Sequence, residues 1–522
     1  ANTTGPYVTG VGYRALKSNT TGQYNTAVGY SLVNNTTGAS NAGFGTDTLN
    51  QNTTGGCNTA IGIGSLNANT TGAYNIASGH KALQANTTAS YNTAVGSCTL
   101  YANTTGASNT AVGYRTLVTN TTGGCNTGVG VDALQYTTTG GANVAVGRNA
   151  LNANSTGGEN VGIGYGAFQS NTTANYNVAV GTCSVHANTT GDCLAAVGQK
   201  ALMSNTTGEG STALGYAAVL ANTTGTNNVG IGYKALTTNT TGGENVAVGT
   251  NGLASNTTGC DNTTIGQDSL YANTTGCRNS SIGRASLRYN TTGKWNSGYG
   301  YTAMFNNTTG CQNTGSGAYA MYGNTTGKLN SAFGEASMKC NTTGCRNTAV
   351  GDSALYCNTT ANSNVAVGRS ALYANTTGAN NTATGFKTLN SNTTASCNTA
   401  VGVCSLYANT TGASVVAVGY KSLAANTCGN ENVAVGTFSL ADNTTGYNNT
   451  ALGHQTITDN TTGYYNTAIG SCALHATTTG NRNTALGTDA LRSNTTGCRN
   501  TSLGDGSGYN LTTGCYNTFV GH

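Results

Sequence analysis

The sequence predicts an all-β fold, a β-solenoid with one 17-residue coil per repeat and about 31 coils. Three observations predict it. The first is a period. The stretch Asn19-Thr-Thr-Gly-Gln-Tyr-Asn-Thr-Ala-Val-Gly-Tyr30 recurs every 17 residues with small changes, apart from one residue missing near Ser31–Asn34. Written N-T-T-G-x-x-N-T-A-V-G-x-x-A-L-x-x and numbered as slots 1 to 17, it makes 31 copies from Asn2, and the last breaks off at His522. The second is slot 11, Gly in every copy, among them Gly12, Gly29, Gly62, Gly96, Gly300 and Gly521. The third is slot 15, a column of apolar residues such as Leu16, Leu66, Leu134, Leu270, Leu406 and Leu491, which ends at Gly508. A disordered low-complexity chain requires neither column.

A helical solenoid unit needs roughly 33 residues. Gly, Asn and Thr, which fill much of each copy, are poor helix formers. One solenoid turn suits the length: three short strands joined by tight corners, with Asn and Gly at the corners and Thr and Val in the strands. Coils pairing at about 4.8 Å would build a rod roughly 150 Å long. The slot 11 Gly marks a corner that needs positive φ or leaves no room for a Cβ. Slot 10, mostly Val, Ile or Leu, reads as a second apolar column, and slots 9 and 14, mainly Ala, as places where space is tight. Columns at slots 10 and 15 with one Thr column would fill the core of a single chain. Gly43-Phe44 and Gly298-Tyr299 read as volume compensation within a packed layer. Ala89, Ala174, Ala361 and Ala395 replace the slot 4 Gly, so that corner tolerates a Cβ. Asp505–Leu511 breaks the pattern and reads as a bulge or a place where something else packs.

No linker or composition shift divides residues 1–522, which read as one uninterrupted repeat array. Charged residues are 7% of the chain, so its surface must consist of hydroxyls, amides and Tyr. A net charge of +5 over 522 residues is too dilute for a nucleic-acid footprint, and no apolar run reaches the length of a membrane helix. The only proline is Pro6, as expected where most residues lie in hydrogen-bonded ladders. An array without polar capping units reads as a segment of a longer chain or as a subunit stacking end to end.

Slots 1 to 3 read Asn-Thr-Thr in 26 copies, and Asn-x-Thr is the N-glycan acceptor pattern, so Asn19, Asn52, Asn69, Asn103, Asn222 and Asn307 are candidate glycosylation sites. The alternative is an Asn ladder that holds the corners. Of 17 cysteines, three pairs share a slot in adjacent copies: Cys260 with Cys277, Cys340 with Cys357, and Cys498 with Cys515. The coil spacing falls within the Cα separation a disulfide accepts, so these are candidate staples, in keeping with an extracellular setting.

The histidines, His80, His186, His454, His475 and His522, are scattered over slots 12 and 16, and Glu159, Glu209, Glu244 and Glu431 lie in distant copies. No base, nucleophile and orienting group converge. The chain is expected to be no enzyme and to hold no cofactor or metal. The motif Asn92-Thr-Ala-Val-Gly96, or Asn245-Val-Ala-Val-Gly249, followed by x-x-A-L, resembles the head repeats of YadA-like trimeric autotransporter adhesins and related repeats of phage and viral tail fibres. That resemblance covers the whole chain. It implies a left-handed β-roll, a parallel homotrimer and a role in surface attachment.

The expected function is a structural fibre shaft exposed on a cell or virion surface and serving attachment. Its partners would be other copies of itself, as homotrimer or end-to-end filament, and a host receptor or surface glycan, with no nucleic acid and no membrane insertion. Slots 5, 6, 12, 13, 16 and 17 would form the outer surface, with Tyr7, Tyr24, Tyr74, Tyr91, Tyr101 and Tyr136 among its exposed aromatics. The alternative is a self-assembling, glycosylated extracellular filament or sheath. A third class, an ice-binding solenoid, needs a two-column Thr array, whereas adjacent Thr residues in a strand point to opposite faces.

Overall fold

The computed structural model describes residues 4–522; Asn2, where the first copy starts, lies outside them. The described chain is all-β without a helix, and it falls into two compact units, one ending at Asp261 and the other spanning Asn262–His522. The first holds strands β1 (Thr9–Val11) to β15 (Val246–Val248), the second β16 (Thr263–Ile265) to β31 (Thr518–Val520). Within each unit successive strands pair in parallel and in register, one per 17-residue coil, as Thr93, Ala94 and Val95 pair with Thr110, Ala111 and Val112. This is the expected β-solenoid.

Each coil has one strand, at slots 8–10, rather than three. The other sides are turns that still bond coil to coil: the Leu100 N–H donates to the Thr116 carbonyl at 3.0 Å, Ala102 to Val118 at 3.0 Å and Thr87 to Thr104 at 3.1 Å. Left-handed residues interrupt the extended chain. Slots 6, 13 and 15 all have positive φ, at 62° for Tyr91, 55° for Cys98 and 49° for Leu100. The corners are therefore not reserved for Asn and Gly. A non-Gly residue held there costs roughly 1–2 kcal/mol, opposed at slot 15 by complete burial of the side chain.

Slots 4 and 11 need Gly for different reasons. Gly113 has φ +137°, and a Cβ on it would stand 2.5 Å from the Gly130 carbonyl oxygen. Gly106 has an ordinary φ; only the closeness of the Gly123 carbonyl and the neighbouring Asn side chains argues against a Cβ. Ala89, Ala174, Ala361 and Ala395 are accordingly accommodated at slot 4, nearly fully buried.

The core is the slot 15 column lined by small residues at slots 9 and 14. Leu66, Leu134, Leu270, Leu406 and Leu491 are fully buried and Leu16 nearly so. The expected second core column at slot 10 is not there. Ile61 is 46% exposed, Val95 39%, Leu214 48% and Ile282 42%, while Ala60, Ala94, Ala213 and Ser281 beside them are buried. Strand alternation decides it: slots 8 and 10 leave the same face and slot 9 the other. Gly43 therefore does not compensate Phe44. A Cβ on Gly43 would strike Ser31, and one on Gly298 would strike Ser286 at 2.6 Å, so these glycines make room for slot 14 side chains behind them. At the irregular Asp505–Leu511, a Cβ on Gly508 would lie 2.8 Å from the Phe519 ring. Phe519, in place of a slot 9 Ala, fills the space where the Leu column stops.

Candidate binding face

Two buried amide ladders link most of the coils within each unit. At slot 1, Asn103 Nδ2 donates to Asn86 Oδ1 of the preceding coil and to the Gly106 carbonyl, both at 2.9 Å. At slot 7, the Asn109 N–H donates to Asn92 Oδ1 at 2.9 Å, and Asn109 Nδ2 to the Gly123 carbonyl of the next coil at 2.9 Å. Asn19, Asn52, Asn69, Asn103, Asn222 and Asn307 are all 0% exposed. A glycan would have to replace a proton on a nitrogen enclosed by the core, so the folded coil presents no acceptor at these positions. Their role is structural. The slot 2 Thr hydroxyl also turns to the backbone, Thr104 Oγ1 donating to the Thr121 carbonyl at 3.0 Å, which leaves slot 3 as the outward Thr column.

Side chains free to vary are those that leave the coil. Tyr7, Tyr24, Tyr74, Tyr91, Tyr101 and Tyr136 are exposed, and rings in adjacent coils stack, Tyr7 on Tyr24 and Tyr74 on Tyr91, each with centroids 5.1 Å apart. The titratable groups form local pairs: Arg115 with Asp132 at 3.8 Å, His475 with Asp459 at 3.7 Å, and His522 with Asp505 at 3.5 Å. His186 Nδ1 lies 3.2 Å from the Gly166 carbonyl. Among the described residues, no three of His, Cys, Asp and Glu gather as metal ligands would, and no helix is long and apolar enough to cross a membrane.

Cys340 and Cys357 stand in adjacent coils as thiols, half-buried. Burial first, and then the neighbouring Cys340, push the Cys357 thiol above its ordinary pKa. Cys498 and Cys515 are also thiols; the Cys498 N–H donates to Cys515 Sγ at 3.2 Å, and Cys498 Sγ donates to the Thr496 carbonyl at 3.3 Å. Cys260 and Cys277 fall one in each unit.

Two concavities in the second unit lie along slots 12, 13 and 16. One is lined by Phe386, Lys387, Cys404, Tyr407 and Lys421. Another, of about 380 Å³, is lined by Arg284, Arg288, Tyr301, Phe305, Tyr319 and Tyr322. Its rings pack on one another: Phe305 on Tyr322 at 5.1 Å and 4°, and Tyr301 edge-on to Tyr319 at 5.5 Å. Beside it Lys339 Nζ sits 5.1 Å from the Tyr319 ring and 5.5 Å from that of Tyr356. A hydrogen bond to Tyr356 holds the Lys339 ammonium above its ordinary pKa, and burial raises that of Tyr373.

Reading along the sequence misses this cluster, because its members are spread over Arg284–Tyr373. The signal is visible down one slot. In six consecutive copies slot 16 is Arg288, Phe305, Tyr322, Lys339, Tyr356 and Tyr373, and beneath it slot 15 is Met304, Met321 and Met338 in succession. No family model matches this chain, and no curated protein matches it in sequence.

Proposed function

We propose that this β-solenoid is a non-enzymatic fibre shaft, exposed on a cell or virion surface, that serves attachment through its variable face. The observation that carries the reading is the division of labour within the coil. Slots 1, 4, 7, 9, 11 and 15 form a nearly invariant, hydrogen-bonded interior, whereas slots 5, 6, 12, 13, 16 and 17 vary in charge and aromaticity on the outside. Each further coil adds length without a new interior, and each can carry different contacts outside. The resemblance to YadA-like heads and tail fibres agrees with this use. A host receptor or surface glycan is the partner expected of exposed Tyr, Arg and Lys side chains.

Self-association is the second part of the proposal. Within each unit slot 10 presents mostly Val, Ile, Leu and Phe along one sheet face, interrupted at Ser78, Ser316 and Thr384. Exposed apolar patches of this kind mark interaction surfaces, and three copies could bury the column along a common axis as a parallel homotrimer. In an oxidising setting the Cys340–Cys357 and Cys498–Cys515 neighbours would close as disulfide staples. A self-assembling filament is the second reading. It is favoured by the Asn ladders, in which most coils both donate to one neighbour and accept from the other.

The test is a cryo-EM cross-section of the assembled protein, with its retention on glycan-coated surfaces measured alongside. Three chains meeting at slot 10 together with surface retention would support the shaft. A single chain with slot 10 bare, elongating end to end without surface retention, would replace it with the filament.

A further inference from the structure

We propose that the concavity between Tyr301 and Tyr322 is a binding site for an acidic saccharide, a carboxylate-bearing sugar unit held by Arg284 and Arg288. Its volume of about 380 Å³ lies within the roughly 300–1,000 Å³ of small-ligand sites. The wall carries two polar atoms that are buried and have no hydrogen-bond partner, Arg288 Nε and Thr302 Oγ1. Thr302 lines the concavity and is only 6% exposed. A buried polar group left without a partner is costly; both atoms are closed to solvent, so the groups that can meet a ligand are the guanidinium ends of Arg284, which is exposed, and Arg288, which is half-buried.

Charge points the same way. Arg288 Nη1 meets Asp268 at 3.6 Å, a separation that leaves its guanidinium much of its donor capacity. Arg284 has no ion-pair partner among the described residues. The concavity is thus lined by two cations, Arg284 and Arg288, with Asp268 as the acid paired to one of them, in a chain where only 7% of residues are charged. A planar guanidinium favours a carboxylate.

The rings decide between a sugar and a flat aromatic ligand. Phe305 and Tyr322 stack face to face at 5.1 Å, the Tyr289 edge meets Phe305 at 5.0 Å, and Tyr301 and Tyr319 pack edge to face. Their faces are largely taken by one another, so a nucleobase finds no open stacking platform. What remains outward are ring edges and the hydroxyls of Tyr301, Tyr319 and Tyr322, suited to a polyhydroxylated ring. Beneath them Met304, Met321 and Met338 replace the slot 15 Leu in three successive coils. Methionine repacks readily, so this stretch can adjust to an occupant as the rest of the column cannot.

The proposal deepens the attachment reading by naming its ligand class, and it rests on that reading for its use, not for the binding itself. The test is calorimetric titration of the full chain with tri-galacturonic acid and with its neutral methyl ester. The expected result is saturable binding of the acid, at least tenfold weaker binding of the ester, and at least tenfold weaker binding of the acid to Arg284→Gln, Arg288→Gln and Tyr322→Ala. Tyr91→Ala, in the Tyr74–Tyr91 stack of the other unit, should bind as the parent does. Hydrogen exchange of coils 17–19 verifies that each variant keeps its fold. Absence of saturable binding, equal binding of acid and ester, or an Arg284→Gln and Arg288→Gln pair within twofold of the parent overturns the site. Binding that behaves as expected in a protein not retained on acidic-glycan surfaces would uphold the site and overturn attachment.

Discussion

Thr137→Asn should stabilise the first unit, because it repairs a ladder that the chain itself breaks. Slot 1 is Asn on either side, at Asn120 and Asn154, but Thr at 137. Two buried atoms are left without partners there, Asn120 Oδ1 and Thr137 Oγ1, and Asn154 Nδ2 retains its bond to the Gly157 carbonyl at 2.9 Å. By the geometry of Asn103, an Asn at 137 would donate to Asn120 Oδ1 and to the Gly140 carbonyl and accept from Asn154. One unmet acceptor would be paired and one unmet hydroxyl removed, each costing about 1–3 kcal/mol at present. After the side-chain entropy of holding the new amide, the expected gain is about 2–3 kcal/mol. Thr477→Asn in the second unit is the internal comparison. Asn460 Oδ1 is likewise unmet, but the Thr477 hydroxyl already donates to the Asn494 carbonyl at 3.0 Å, so about 1–2 kcal/mol is expected. A repeat array does not unfold in one step. The assay is therefore native-state hydrogen exchange of the flanking coils, read at amides such as Tyr136, which donates to the Asn152 carbonyl at 2.9 Å, with urea unfolding as the global check. Equal gains at both positions, or a change at Thr137→Asn below about 0.3 kcal/mol, would refute the reasoning.

The glycine slots should separate in the same assay: Gly113→Ala, forced to φ +137° against the Gly130 carbonyl, should lose about 2–4 kcal/mol. Gly106→Ala should lose less than Gly113→Ala, since it carries no φ strain and slot 4 already houses Ala89, but the coil must shift to relieve the Gly123 carbonyl 2.3 Å from the new Cβ. Val95→Asp and Val112→Asp, made singly, should cost the isolated chain about 1 kcal/mol in urea unfolding yet abolish any oligomer seen by light scattering, because both side chains leave the outer face of the strand. Native pKa values raised at Cys357, Tyr373 and Lys339 mean that the folded state holds protons the unfolded chain has released. The stability they supply is present below the ordinary thiol, phenol and amine values and is lost as pH rises beyond about 9. Unfolding midpoints at pH 7.5 and 10 should show this loss, and Cys357→Ser should reduce it.

The fold was legible because a 17-residue period with Gly at every slot 11 admits few architectures. What was not legible follows from chemistry that two environments share. Ala94 and Val95 are both apolar, so composition alone does not say which enters the core; the pleat turns Ala inward and Val out. Asn103 in Asn-Thr-Thr reads equally as a glycan acceptor and as a ladder amide, and only its complete burial separates the two. Leu100 at φ 49° carries no mark of a left-handed residue, since nothing in leucine's propensity favours that conformation. The Arg288–Tyr322 concavity was hidden for another reason. Its residues are remote along the chain and become neighbours when the repeat is read down a slot, which makes the column rather than the linear motif the informative unit.

The slot 1 amides also have an electrical consequence. Within each unit the slot 1 Nδ2–H groups point toward the lower-numbered coil and the Oδ1 atoms toward the higher, as in the run from Asn35 donating to Asn19 through Asn120 donating to Asn103. Their dipoles therefore add head to tail, like the peptide dipoles of an α-helix, with the positive pole toward the N-terminal side of each run. The unmet carbonyl oxygens of Asn120 and Asn460 are the negative poles at which such runs stop. Within each unit a Thr at slot 1, Thr137 in the first and Thr477 in the second, sets where one such polarised run ends.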